Sequence, residues 1–190
     1  MKSVPLVDTQ NINGVKILNL TKYDDSRGSL FEMYRNEWIT KKQPIQWNIV
    51  HSKPNVIRGF HVHPNHADYL VCASGKFTIK MRDLRTKSST YLQFQEVTLN
   101  SENPSALVIP PGVGHGFEFT VYAHVCYGLS SYWSLAEELD CRFDDKNLDI
   151  KWSVKKPLLS DRDNKSGSYQ ELIKMLEPLQ SKFLNQMKSE

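Results

Sequence analysis

Cysteine is scarce in this chain: Cys72, Cys126 and Cys141 are all there are in 190 residues. An odd number with no metal-ligand spacing excludes a disulfide framework or a thiolate centre, and two of the three lie in apolar runs, so buried thiols are expected. Long hydrophobic stretches are missing too. No run approaches the roughly 18 apolar residues of a membrane span, and Met1 to Asp8 offers no apolar segment of signal-peptide length, so a cytoplasmic location is expected. Charge of one sign is not concentrated anywhere: the formal net charge is +3, with Lys and Arg interspersed among Asp and Glu. Nothing therefore points to a nucleic acid or a membrane as partner. Internal repeats and low-complexity tracts are absent.

What is present is a folded chain of one domain, with 39% hydrophobic and 11% aromatic residues and an appendage. From Val15 to Val154 short strand-like runs alternate with turn clusters. They cover 15–20, 30–34, 47–51, 56–60, 69–73, 77–82, 91–98, 106–109, 116–119 and 124–129, punctuated at Gly75, Asp83, Asn100 to Pro104 and Pro110 to Gly112. Phe77 to Arg82 alternates apolar with polar, so one face is buried and the other wet or functional. Such spacing predicts an all-β sandwich or barrel. Residues 161–167 read as a polar linker. Beyond it, Leu172, Ile173, Leu176 and Leu179 follow helical spacing, Ser168 with Glu171 forms a capping box, and Pro178 interrupts the helix. The expected division is a barrel domain over 1–165 and a helical extension over 166–190.

Histidine carries the chemistry. His61 and His63 lie in Arg58-Gly59-Phe60-His61-Val62-His63, and His115 lies in Ile109-Pro110-Pro111-Gly112-Val113-Gly114-His115-Gly116-Phe117. On a strand the two-residue period points both imidazoles of His-x-His to one face, and a barrel can bring the two segments together. The pattern His61-x-His63-x4-Asp68-x6-Gly75, then Pro110-x-Gly112-x2-His115, resembles the two metal motifs of cupin barrels, with Asp68 where glutamate is usual. His61, His63, Asp68 and His115 are thus the alternative set for a divalent metal such as Fe, Mn, Ni or Zn. Without metal the same residues bind substrate or one another.

A more extensive resemblance runs from about Val15 to Asp163. Asp25-Ser26-Arg27-Gly28 to Glu32, Gln46-Trp47-Asn48, Val56 to His61, Asp83-Leu84-Arg85, the Pro110 to Phe117 segment, Tyr127 to Tyr132, Asp144 to Trp152 and Pro157 to Asp163 follow one another as do the motifs of the nucleotide-sugar epimerases typified by dTDP-4-dehydrorhamnose 3,5-epimerase. These are cupin jelly rolls. The resemblance implies a double-stranded β-helix, a homodimer, and proton abstraction and return beside the 4-keto group of a nucleotide-linked 4-keto-6-deoxy sugar. The nucleotide expected is dTDP, the carbon is C3, C5 or both, no cofactor is implied, and the setting is deoxysugar or surface-polysaccharide biosynthesis.

Residue by residue, it implies His61 as base, Asp145 as its partner and Tyr132 as the acid on the opposite face. Arg27 and Arg58 would hold the diphosphate, for which a guanidinium fork is suited. Glu32, Gln46 and Asn48 would contact nucleotide or sugar, with His63 and His115 in the pocket. The pattern breaks where the epimerases carry a lysine that stabilises the enolate: Asp68 stands there, and the family's His-x-Gln has become His61-x-His63. Two other readings stay open on that account. One is a metal-dependent cupin enzyme acting on a sugar or small acid; the other is a nucleotide-sugar-binding cupin without catalysis.

Overall fold

One strand of 16 residues organises the chain. The computed structural model describes residues 7–8, 11–39, 41–135 and 138–187. In order, it contains β1 Val7–Asp8, β2 Lys16–Asn19, β3 Lys22–Asp25, β4 Gly28–Phe31, β5 Gln46–Ser52, β6 Val56–Val62, β7 Asp68–Asp83, β8 Phe94–Asn100, β9 Ser105–Ile109, β10 Val113–Phe119, β11 Ala123–Leu129, β12 Leu139–Asp140, α1 Asp161–Lys165 and α2 Tyr169–Met187. The first half of β7 pairs with β9 and β11, and its second half with β8 and β10. Strand β7 therefore belongs to two sheets. One runs β1-β2-β9-β7-β11-β5 and the other β8-β7-β10-β6-β12. This is the jelly roll expected, with a difference at Gly75. The sequence reads as two strands separated there, but the chain stays extended through a glycine at φ +76°, a left-handed value that glycine adopts without a steric cost.

Between the sheets, Leu70, Cys72, Ile79, Met81, Leu107 and Phe119 are buried in one apolar cluster. Cys72 and Cys141 are buried and Cys126 partly so, all as free thiols. On the polar face of Phe77 to Arg82, Thr78 and Arg82 stay partly exposed and the middle residue is covered. Lys80 is buried there, with Nζ 3.1 Å from Glu118, beneath the ring of Trp152 at 5.2 Å.

On the outer face of β6, Phe60 and Val62 meet Leu172 and Leu176 of α2. Each of these leucines contributes roughly 1.5–3 kcal/mol by leaving water, which anchors the helix. Ser168 and Glu171 form the capping box, with Ser168 N donating to Glu171 Oε2 at 2.7 Å and Glu171 N to Ser168 Oγ at 3.3 Å. The helix passes through Pro178 without dividing. Residues 161–165 form α1, not linker, and α1 lies against β6. No helix among the described residues is long and apolar enough to cross a membrane.

Candidate active site

The two histidine segments meet on neighbouring strands, His61 of β6 facing His115 of β10. The pairing is irregular. Arg58 faces Phe117, so three steps along β6 match two along β10. This bulge matters because simple alternation would place Arg58 and His61 on opposite faces. With the extra residue, both reach the same cavity. Gly59 makes it possible: its φ is +118°, and a Cβ there would stand 2.8 Å from Gly116 Cα and 3.0 Å from the His115 carbonyl oxygen.

The cavity, about 460 Å³, opens between the sheets. Arg58, His61, His63 and His115 line one side, while Asp68, in register with Leu129 of β11, belongs to the other sheet. Val125, Tyr127 and Leu129 of β11 line the facing wall, with Trp133, Glu138, Ser160, Arg162 and Asp163 at the margin.

His61 Nε2 lies 2.7 Å from Asp163 Oδ1, and Ser160 Oγ donates to Asp163 Oδ2 at 2.8 Å. Burial pushes the Asp163 carboxyl up, but the hydrogen bond and charge of His61, with Ser160, hold it below the usual carboxylate range. An ionised carboxylate only accepts, so Nε2–H donates and Nδ1 carries the lone pair. Around Tyr127, burial first, then Asp68 and Glu138, raise the phenol above its ordinary value. It stays protonated and able to donate. Arg58 is the free cation: among the described residues, no carboxylate pairs with it.

Beside this pair, Asp68 is ringed by imidazoles. Its Oδ2 lies 3.8 Å from His63 Nε2 and 3.7 Å from His115 Nε2, and its Oδ1 lies 3.9 Å from His66 Nε2. His63 Nδ1 is 3.2 Å from Glu138 Oε1, whose other oxygen accepts from Arg162 at 2.8 Å. Burial works against ionisation of Glu138, yet His63 and Arg162 hold its carboxyl far below the ordinary range. His115 Nδ1 is 3.2 Å from the Val113 carbonyl oxygen, and burial pushes the His115 pKa down to about 4 despite Asp68. That imidazole is neutral at pH 7.

Several expected residues are elsewhere. Asp145 is not the partner of His61. Its Oδ1 accepts from Asn147 N at 2.8 Å and its Oδ2 from Tyr169 N at 2.9 Å, because it caps a 3₁₀ turn at Lys146–Leu148 and ties down the start of α2. Tyr132 is 73% exposed and, unlike Trp133 beside it, is not among the residues lining the cavity. Arg27, on the turn between β3 and β4, has a side chain 88% exposed and pairs with Asp25 at 2.6 Å. Glu32 pairs with Arg35 at 2.6 Å. Gln46 and Asn48 bond each other at 3.2 Å, and Gln46 Oε1 accepts from Trp133 N at 2.8 Å. None of these four lines the cavity.

Tyr127, Glu138, Arg162 and Asp163 are the residues that sequence reasoning did not single out. For Tyr127 a signal existed, since it shares strand parity with apolar Val125 and Leu129 and so faces inward. Asp163 closes the last motif matched, Pro157 to Asp163. Glu138 and Arg162 carried no comparable signal.

The family model for dTDP-4-dehydrorhamnose 3,5-epimerase matches residues 9–171. The enzyme of that name from Salmonella typhimurium is 35% identical over 162 residues, 80% of this chain and 88% of the relative. Among solved structures, the 4-keto-6-deoxy sugar epimerase from the novobiocin biosynthetic gene cluster of Streptomyces spheroides superposes with a TM-score of 0.80 at 28% identity, over 90% of this chain and 89% of the other. A 3'-monoepimerase from Streptomyces bikiniensis, in complex with dTDP-quinovose, gives 0.79 at 27% identity over 91% and 90%. With a matching model spanning most of its length, this chain belongs to the dTDP-4-dehydrorhamnose 3,5-epimerase family.

Proposed function

We propose that the protein is an isomerase that inverts C3, C5 or both in a nucleotide-linked 4-keto-6-deoxy sugar, with dTDP as the nucleotide, in deoxysugar or surface-polysaccharide biosynthesis. The observation that carries this reading is an imidazole paired with a buried carboxylate, His61 with Asp163 at 2.7 Å, on one wall of a cavity whose facing wall presents Tyr127.

A hydrogen on carbon beside a ketone is acidic because the carbanion delocalises onto oxygen as an enolate. His61 takes that proton, and Asp163 stabilises the imidazolium that forms. The Tyr127 hydroxyl then gives a proton to the same carbon from the other side, which inverts it. One proton has left and one has arrived, and the phenolate and imidazolium reset by exchange with water. Arg58 holds the diphosphate, since an unpaired guanidinium in a cavity suits two neighbouring phosphates. The same reading takes the chain as a homodimer, in which Arg27 and Glu32, on and beside a hairpin away from their own cavity, serve a second copy. The test is solvent deuterium wash-in to dTDP-4-keto-6-deoxyglucose. Incorporation with inversion supports the reading, and its absence removes it.

A further inference from the structure

We infer that His63 is a second catalytic residue, which carries a proton on Nε2 and gives it to the 4-keto oxygen as His61 removes the proton from the neighbouring carbon. The inference rests on the epimerase reading. It fills the place left by the lysine of the family pattern, where this chain has Asp68.

Charge balance points to His63. Three carboxylates gather about His63 and Arg162: Asp68 and Glu138, both buried, and Asp140, partly so. Arg162 donates to Glu138 at 2.8 Å and to Asp140 at 2.9 Å. One guanidinium does not balance three carboxylates, and a buried charge left uncompensated is costly. His63 stands between two of them, with Nδ1 3.2 Å from Glu138 Oε1 and Nε2 3.8 Å from Asp68 Oδ2. A carboxylate at each nitrogen favours the imidazolium, which carries a proton on both. At 3.8 Å Asp68 acts on Nε2 by its charge rather than by a hydrogen bond.

The other groups facing this cluster are committed differently. His115 Nε2 lies 3.7 Å from the same Asp68 oxygen, but its Nδ1 is 3.2 Å from the Val113 carbonyl oxygen and burial keeps the ring neutral. His66 Nε2 is 3.9 Å from Asp68 Oδ1 and its ring stacks on His63 with centroids 4.2 Å apart, yet His66 does not line the cavity. Arg58 is taken by the diphosphate, and Tyr127 is the donor on the facing wall. His61 Nε2 is turned to Asp163, so the set His61, His63, Asp68 and His115 offered by cupin spacing does not meet at a common centre.

His63 follows β6 two residues after His61, and both line the cavity. Residues so placed stand about 6.6 Å apart along a strand. That spacing suits a base about 3–3.5 Å from the acidic carbon and a donor about 2.8 Å from the adjoining carbonyl oxygen. As His61 takes the proton, the carbon–hydrogen electron pair becomes the carbon–carbon double bond, and the carbonyl π pair takes the proton from His63. The product is an enol. When Tyr127 protonates the carbon from the far wall, His63 Nε2 recovers the hydroxyl proton and the ketone returns, so His63 ends as it began. Asp68 would repel an enolate, but an enol bears no full charge. The same carboxylate keeps the imidazole protonated for the next turnover.

The experiment measures deuterium wash-in to dTDP-4-keto-6-deoxyglucose by the full chain and its variants, with near-UV circular dichroism to check each fold. His63→Gln should lower kcat by about 10²- to 10⁴-fold and change KM by less than about threefold. His63→Asn takes its place if that variant fails to fold. Adding Asp68→Lys to His63→Gln restores the family's glutamine and lysine, and should recover at least about tenfold of the lost rate, because the ammonium takes up the charge on the oxygen. Asp68→Asn alone should move the alkaline fall of kcat to lower pH, since the imidazolium loses a carboxylate that favours it. A wild-type rate in His63→Gln, no recovery in the folded double variant, or loss of wash-in on adding EDTA overturns the role of His63 and leaves the epimerase reading standing. Absence of wash-in by the wild type removes both.

Discussion

Asp163 Oδ1 lies 2.7 Å from His61 Nε2 across 102 residues of chain, and no local sequence pattern joins them. Strand β6 supplies the imidazole. The short helix α1, capped by Ser160, supplies the carboxylate. Asp163→Asn should lower the rate of deuterium wash-in by about 10²- to 10⁴-fold with little change in KM for the nucleotide sugar, because an amide does not stabilise the imidazolium. Steady-state kinetics on the two proteins checks it. An unchanged kcat would detach Asp163 from the chemistry.

Arg58 reaches the cavity only through the bulge at Gly59. Arg58→Lys should weaken dTDP binding by about tenfold, or 1.4 kcal/mol, since the ammonium keeps the charge and loses the two-pronged contact. Isothermal titration with dTDP decides the matter. Gly59→Ala should also weaken it, because the added methyl meets Gly116 and shifts the strand that aims Arg58.

Asp83 predicts a pH effect on stability away from the site. It is fully buried, accepts from Arg85 Nε at 2.8 Å and from Thr90 Oγ1 at 2.7 Å. Burial alone would raise its pKa, but these bonds hold it below the ordinary value. A depressed folded pKa gives stability that is complete above the unfolded value of about 3.9 and is lost as pH falls through the folded one. Asp83→Asn should cost about 2 kcal/mol at pH 7, and the difference from wild type should shrink below about pH 4. Urea melts at several pH values measure this, and a constant difference down to pH 2 would contradict it.

Local patterns proved legible where neighbours in sequence are neighbours in space. Alternation about His61 and around His115 reads as strands, and the Ser168 and Glu171 pair marks the start of α2. The polar face of Phe77 to Arg82 was harder, because Lys80 is neutralised by Glu118, a residue on another strand. The site divides in the same way. His61, His63, Asp68, His115 and Arg58 lie in the two strand motifs and their sequel, and all reach the cavity. The partner carboxylate was misplaced because Asp145 and Asp163 both belong to matched motifs, and only the fold shows that Asp145 caps a turn while Asp163 faces the imidazole. Tyr127 and Tyr132 sit in one segment, and strand direction turns Tyr127 inward while Tyr132 is exposed.

Inversion requires a donor across the cavity from His61, so Tyr127 tests the account most directly. The measurement is NMR in D₂O of dTDP-4-keto-6-deoxyglucose with wild type, Tyr127→Phe, Tyr132→Phe and His61→Asn. Wild type and Tyr132→Phe should incorporate deuterium with inversion. Tyr127→Phe should exchange deuterium at the acidic carbon while largely retaining its configuration, since His61 still removes and returns the proton on one face. His61→Asn should do neither. Full inversion by Tyr127→Phe, or exchange by His61→Asn at the wild-type rate, would contradict the assignment of base and acid to facing walls of this cavity.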